Sequence, residues 1–151
     1  MKAYENQQVG YKISYPAAWT VRKNANLIGP DALDKGTVFV PPPFDNAGTI
    51  LTQSEAEIIA QNGGCPTGMV QDVETFNGTP FERVLWADTG GEGISQTLGF
   101  QTAKNNKCYR IILFRHTCDL GKSCDANHRK PYSPGPQVQV FMEMVGTFQL
   151  L

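Results

Sequence analysis

Over residues 81–118 the hydrophobic and polar positions fall into three extended-chain segments joined by two polar turns. Ile94, Gln96, Leu98 and Phe100 share one face and Ser95, Thr97, Gly99 and Gln101 the other, which predicts a half-buried strand with one core face and one wet face. In the next segment Tyr109, Ile111 and Leu113 oppose Cys108, Ile112 and Phe114. Both faces are apolar, so this strand is expected at the centre of a sheet and covered on each side. The turns at 88–93, rich in glycine, and at 103–107, with Asn105-Asn106 at its tip, suit positive φ and join the three segments into a meander.

Upstream, Tyr11, Ile13 and Tyr15 alternate with polar neighbours until Pro16, which cannot donate to a ladder. Alternation resumes over 19–22, and the two pieces are expected to form a hairpin or bent pair at the sheet edge. Residues 24–35 read as a loop. Residues 36–40 read as a strand running into Pro41-Pro42-Pro43, a rigid polyproline segment. The 50–60 segment fits both periods; a short helical turn followed by a strand is expected. Residues 62–68 form a loop and 69–76 a strand, and Asn77-Gly78 marks a tight hairpin. Residues 125–136 are polar and proline-rich, a long surface loop. Val138, Phe141, Met142 and Val145 then recur at i, i+3, i+4 and i+7, predicting a helix that begins near Ser133 and Pro136 and ends at Gly146. Phe148, Leu150 and Leu151 form a closing strand or extended tail.

The length of 151 residues suits one domain over 1–151, in which folding removes roughly 70% of the unfolded chain's surface. The 13 basic and 14 acidic residues nearly cancel and neither sign clusters, which argues against a nucleic-acid partner. No apolar run approaches the roughly 18 residues of a transmembrane helix, so no transmembrane segment is expected. Nothing in the pattern demands an oligomer, and a monomer is the expected state.

Cys65, Cys108, Cys118 and Cys124 permit three pairings and match no zinc-ribbon or thioredoxin-like spacing. Two disulfides fit best: Cys118 with Cys124 across a short polar loop, and Cys65 stapling its glycine-rich loop to the start of the central strand at Cys108. Four reduced thiols in a cytosolic protein are the alternative. With the bridges the protein is exported, to the periplasm, the envelope or the medium, and a signal or lipoprotein leader is expected ahead of this sequence.

The opening Gly10-Tyr11-Lys12-Ile13-Ser14-Tyr15-Pro16-Ala17-Ala18-Trp19 resembles the Gly-aromatic-x-Ile-x-Tyr-Pro-x-x-Trp start of PsbP-like domains, including bacterial envelope and lipoprotein-type members. Thr147-Phe148-Gln149-Leu150 is similar to the closing Thr-Phe-x-Phe/Leu of that group, and Asn77-Gly78-Thr79-Pro80-Phe81 and Cys108-Tyr109-Arg110-Ile111 to the middle of its bacterial members. The resemblance implies an α+β fold: an α/β/α sandwich with a central, mainly antiparallel sheet and a C-terminal helix. Plant members are extrinsic subunits of photosystem II, but no residue here matches one that would carry that role.

Asp88-Thr89-Gly90 is the tripeptide of aspartic proteases, but it occurs once and in a hairpin turn. Gly90-Gly91-Glu92-Gly93 precedes a strand and lacks the helix N-terminus and lysine of a phosphate loop, so no cofactor is expected. His116, Asp119, Asp125 and His128 surround the Cys118 to Cys124 loop, and Ser95 or Ser123 with a histidine and an aspartate would be the raw material of a hydrolase; no Gly-x-Ser-x-Gly elbow accompanies them. Trp19, Trp86, Tyr109, Phe114 and Tyr132 read as core aromatics before they read as a binding face. The reading that follows is a non-catalytic exported binding or accessory domain that contacts a protein or envelope component. Its contact loops are 88–93 and 118–136, with Asp88, Glu92, His116, Asp119, His128 and Tyr132 as candidate residues. The alternative is a small hydrolase or metal-dependent enzyme using His116, His128 and nearby carboxylates.

Overall fold

The strand at Lys107–Cys118 has three neighbours on each side, the position its two apolar faces predict. The computed structural model describes residues 1–23, 32–41, 52–88, 93–118 and 135–151. In chain order the elements are β1 (Lys2–Asn6), β2 (Tyr11–Tyr15), β3 (Thr20–Lys23), β4 (Ala32–Val40), β5 (Thr52–Asn62), β6 (Val70–Phe76), β7 (Thr79–Asp88), β8 (Gly93–Lys104), β9 (Lys107–Cys118), α1 (Gly135–Gly146) and β10 (Gln149–Leu150). Seven strands form an antiparallel sheet in the order β3-β4-β5-β9-β8-β7-β6, and β1, β2 and β10 form a second sheet in the order β1-β2-β10. The result is a sheet-rich α+β fold, with α1 the helix among the described residues.

The meander β7-β8-β9 forms as predicted. Phe76 pairs with Thr79 across Asn77 (φ 49°) and Gly78 (φ 76°), and Lys104 with Lys107 across Asn105 (φ 53°) and Asn106 (φ 58°). Both are two-residue loops with left-handed central residues, whose twist matches that of the strands they join.

One face of the large sheet carries the core. Phe39, Ala56, Ile58, Ala60, Phe81, Leu98, Phe100, Tyr109, Ile111 and Leu113 meet Phe141, Met144 and Val145 of α1 and Tyr11, Ile13 and Phe148 of the small sheet region. The buried helical stripe is Phe141, Met144 and Val145, whereas Val138 and Met142, assigned to it by periodicity, are half-buried. The core stripe thus continues past the helix end into Phe148, which packs against the rings of Tyr11, Phe81 and Tyr109. The helix C-terminus is held from both sides. The Thr147 hydroxyl donates to Met144 O and accepts from Ser14 N, while Asn77 Nδ2 donates to Gly146 O.

Between the sheets, the hydroxyls of Tyr11 and Tyr4 meet the fully buried Thr37 Oγ1 at 3.1 and 3.3 Å, so the buried polar atoms are hydrogen-bonded. The Tyr-rich opening motif is therefore structural: Tyr11, Ile13 and Trp19 are all buried.

Several expectations are corrected. The strands around Pro16 do not pair with each other: Trp19 N closes a turn onto Pro16 O, after which β3 joins β4 at the edge of the large sheet while β2 stays in the small one. The proline ends one ladder, and the turn that follows carries the chain from sheet to sheet. Residues 32–35, read as loop, begin β4, where two register shifts and Gly36 at φ 82° accommodate a sequence that lacks clean alternation. From Thr52 onward the expected helical turn is strand, because pairing with β9, joined from Ala56 by pairing with β4, overrides a weak local preference. β1 had no expectation attached to it; its pairing with β2 supplies what its polar sequence does not. The polar side of β8 is not wet, since Thr97 and Gln101 are 5% and 1% exposed and Gly99 is buried. That second face is closed elsewhere too, at Val38, Ile59, Val84 and Cys108.

Candidate functional site

The register sorts the candidate residues by the end of the sheet they occupy. Thr52 lies opposite Thr117, Ile94 opposite Thr117, and Asp88 opposite Ser95, so the end of β4, the start of β5, the end of β7, the start of β8 and the end of β9 gather at one end. Asp88 and His116 are strand residues there, and Cys118 ends β9 opposite Gly93. Glu92, Asp119, His128, Tyr132 and Cys124 lie outside the described residues, and with them the Cys118 to Cys124 bridge and most of the two proposed contact loops. Asp88, Ser95 and His116 fall in one row across three adjacent strands. Among the described residues, the register brings together these three catalytic residue types, which the sequence holds apart. Among the described residues there is no group of three or more His, Cys, Asp or Glu placed to hold a metal.

At the opposite end the Cys65–Cys108 disulfide forms as expected, with the Cα atoms 4.9 Å apart. It draws the loop after β5 onto the start of β9. Gly63 N donates to Asn106 O at 2.8 Å, and Gln101 Nε2 donates to Pro66 O. Gln101 Oε1 is buried and finds no hydrogen-bond partner among the described residues. Arg110, paired with Gln101 across the ladder, is half-buried, and desolvation pulls its pKa below the ordinary guanidinium value. It keeps its charge at neutral pH.

The same end holds a cleft of about 450 Å³, within the range of ligand-sized pockets. It is lined by 77–80, 102–104 and 148–150, which places the Asn77-Gly78 tip, the end of β8 and the whole of β10 around one space. Its lining contains hydroxyls (Thr79, Thr102), amides (Asn77, Gln149) and one cation (Lys104), but no carboxylate, imidazole or thiol. Such a surface can bind and orient a polar group; it offers no general base or strong nucleophile. None of these residues was singled out from the sequence. The signal that pointed here was the pair of asparagine-rich hairpin tips, read then only as turns.

Tyr109 lies between this end and the core. Its hydroxyl donates to Val9 O at 2.9 Å, and burial raises its pKa above the ordinary 10.0. The folded state therefore holds this proton more tightly than the unfolded one. The corresponding stability is fully present below pH 10 and is lost as pH rises through the folded value. Tyr109→Phe is expected to lower stability by about 1 kcal/mol at pH 7 through the lost hydrogen bond and to flatten the alkaline fall. Urea midpoints measured from pH 8 to pH 11 check both; an unchanged alkaline slope in the variant would refute the assignment.

The fold and the bridge define a disulfide-bonded, sheet-rich α+β protein. No helix among the described residues is long and apolar enough to cross a membrane. The disulfide is compatible with a secreted or periplasmic location. No family model matches the sequence, and no curated protein matches it. Among solved structures, the chain is similar to a crystal structure from Bacteroides thetaiotaomicron VPI-5482 determined at 1.50 Å resolution, with a TM-score of 0.55 and 12% identity. The match covers 99% of this chain and 48% of that one, so this chain spans about half the length of the structure it matches. At that identity the likeness concerns the fold alone.

Proposed function

We propose that this protein is a non-catalytic, exported binding or accessory domain of the PsbP-like kind, contacting a protein or envelope component through the loops at 88–93 and 118–136. The observation that carries the reading is the Cys65–Cys108 bridge, which belongs to an oxidising compartment and pins a loop to the central strand of a rigid sheet. Loops carried on a rigid sheet are the usual platform for a binding surface. The opening and closing motifs support the PsbP-like assignment. In the fold, α1 and the small sheet cover one face of the large sheet, and the buried residues of the other face agree with a layered sandwich.

Affinity capture from periplasmic and envelope extracts tests this, using the wild type beside a variant with Asp88→Lys, Glu92→Lys and Asp119→Lys. A partner held by the wild type and lost by the variant supports the reading. Equal capture by both would sink it.

A second reading, a small hydrolase, is favoured by the Asp88, Ser95, His116 row. In that row serine stands between acid and base. In a proton relay the orienting carboxylate stands beyond the base, whereas the register here sets Ser95 between Asp88 and His116. The row order is why this reading comes second.

A further inference from the structure

The cleft at the disulfide end of the sheet has an open ladder position. Leu151 N donates to Gly10 O at 2.9 Å, and Leu150 lies opposite Tyr11 and Gln149 opposite Lys12. Hydrogen-bonding direction alternates along an antiparallel pair, so Gln149 turns its backbone groups to β2 and Leu150 turns its N–H and C=O away from it. β10 is an edge strand whose ladder among the described residues is the one with β2, so on its other side the Leu150 N–H and C=O have no ladder partner. The cleft wall facing β10 comes from β7 and β8 and their turns, not from β2. An extended chain entering the cleft therefore meets an unpaired donor and acceptor spaced as one rung of a sheet.

Charge adds a second, independent preference. Lys104 lines the cleft, and Lys107 lies directly opposite it across the Asn105-Asn106 turn. Like charges facing each other on a hairpin repel, and neither lysine has an ion-pair partner among the described residues. An acidic group at this rim would relieve the repulsion and gain a charge-assisted hydrogen bond.

We infer that the cleft between β10 and the two hairpin tips binds an extended polypeptide segment, which adds a strand at Leu150 and sets an Asp or Glu side chain against Lys104 and Lys107. A side-chain carboxylate fits better than a chain terminus, because terminal carboxylates are captured by clustered backbone N–H groups, and the Leu150 N–H is the donor that the added strand takes up. Small hydroxyl and amide neighbours such as Thr79, Thr102 and Gln149 hydrogen-bond without demanding one side chain, so the site selects backbone conformation and charge before sequence. This surface is at the far end of the sheet from the 88–93 and 118–136 loops and does not rest on their role.

Selection of eight-residue peptides from a random displayed library against the intact protein tests it, with synthetic copies of the winners measured by fluorescence anisotropy. The expected result is enrichment of peptides that carry Asp or Glu among β-branched residues. Their affinity falls about tenfold in the Lys104→Glu, Lys107→Glu variant, the loss of one charge-assisted contact, and vanishes on N-methylation of one backbone amide of the peptide. Binding also shifts the Leu150 amide resonance. Both lysines lie on the surface side of a hairpin turn, and a matching circular dichroism melt confirms that the variant folds. No enrichment, binding indifferent to both changes, or inorganic phosphate alone bound in the cleft would each overturn the proposal.

Discussion

Phe148→Ala is expected to destabilise the protein by about 3–5 kcal/mol, the range for removing a fully buried aromatic ring. Phe148 is 1% exposed and is the point where both sheets and the helix meet: its ring packs on Tyr11 of the small sheet at 5.6 Å, and on Phe81 and Tyr109 of the large one at 5.8 and 6.2 Å. Neighbours on three elements cannot all close the void, because each is fixed by its own ladder or helix. The void therefore persists and the cost lies above simple transfer. For a chain of this size the melting temperature should fall by roughly 6–20 °C. Leu85→Ala is the control: Leu85 is 50% exposed, and its truncation should stay within about 1 kcal/mol. Urea unfolding of both variants decides the matter, with a lowered midpoint and unchanged slope expected for Phe148→Ala. A loss no greater than the control's would mean that the C-terminal residues contribute little to the core.

The second large effect is that of the bridge. Cys65 and Cys108 are 43 residues apart, and closing a loop of that length in the unfolded chain corresponds to about 4 kcal/mol in the chain-entropy account. The double variant Cys65→Ala, Cys108→Ala is expected to lose about that amount while keeping its secondary structure. Replacing both residues avoids leaving a lone thiol to mispair with Cys118 or Cys124. The folded-state contacts of the tethered loop, Gly63 N to Asn106 O and Gln101 Nε2 to Pro66 O, do not require the sulfurs. Most of the loss should thus act through the unfolded state. If circular dichroism shows the variant unfolded at 25 °C, the bridge contributes more than loop closure; if its stability equals the wild type's, the bridge is not formed in the native protein.

The elements with strong local signatures were legible in the sequence. The strand patterns over 81–118 marked three strands, Asn105-Asn106 marked the turn between the last two and Asn77-Gly78 the hairpin that leads into them, the i, i+3, i+4, i+7 pattern marked α1, and loop position marked Cys65 with Cys108. Each rests on a few neighbouring residues whose side-chain period or backbone freedom leaves little choice. Where pairing partners decide, the reading failed. The 52–55 segment is strand because β9 pairs with it, and β2 and β3 part company because Tyr11 packs on Phe148 while Val21 pairs with Phe39. For the same reason Gln101, polar and on the face expected to be wet, is buried beneath the disulfide loop.

The candidate surfaces divide in the same way. By itself, the sequence determined which residue types were available for chemistry and that they sit mainly in connections. Only the tertiary structure decided that Asp88, Ser95 and His116 share a row, and that Lys104, Thr102, Thr79 and the edge of β10 enclose one cleft. Those groups lie far apart in the chain or on different strands; ladder register unites the row, and the placing of the small sheet's edge beside β7 and β8 unites the cleft. Local periodicity determines which way a residue faces along its own strand; the residue that stands beside it is decided by the neighbouring strand.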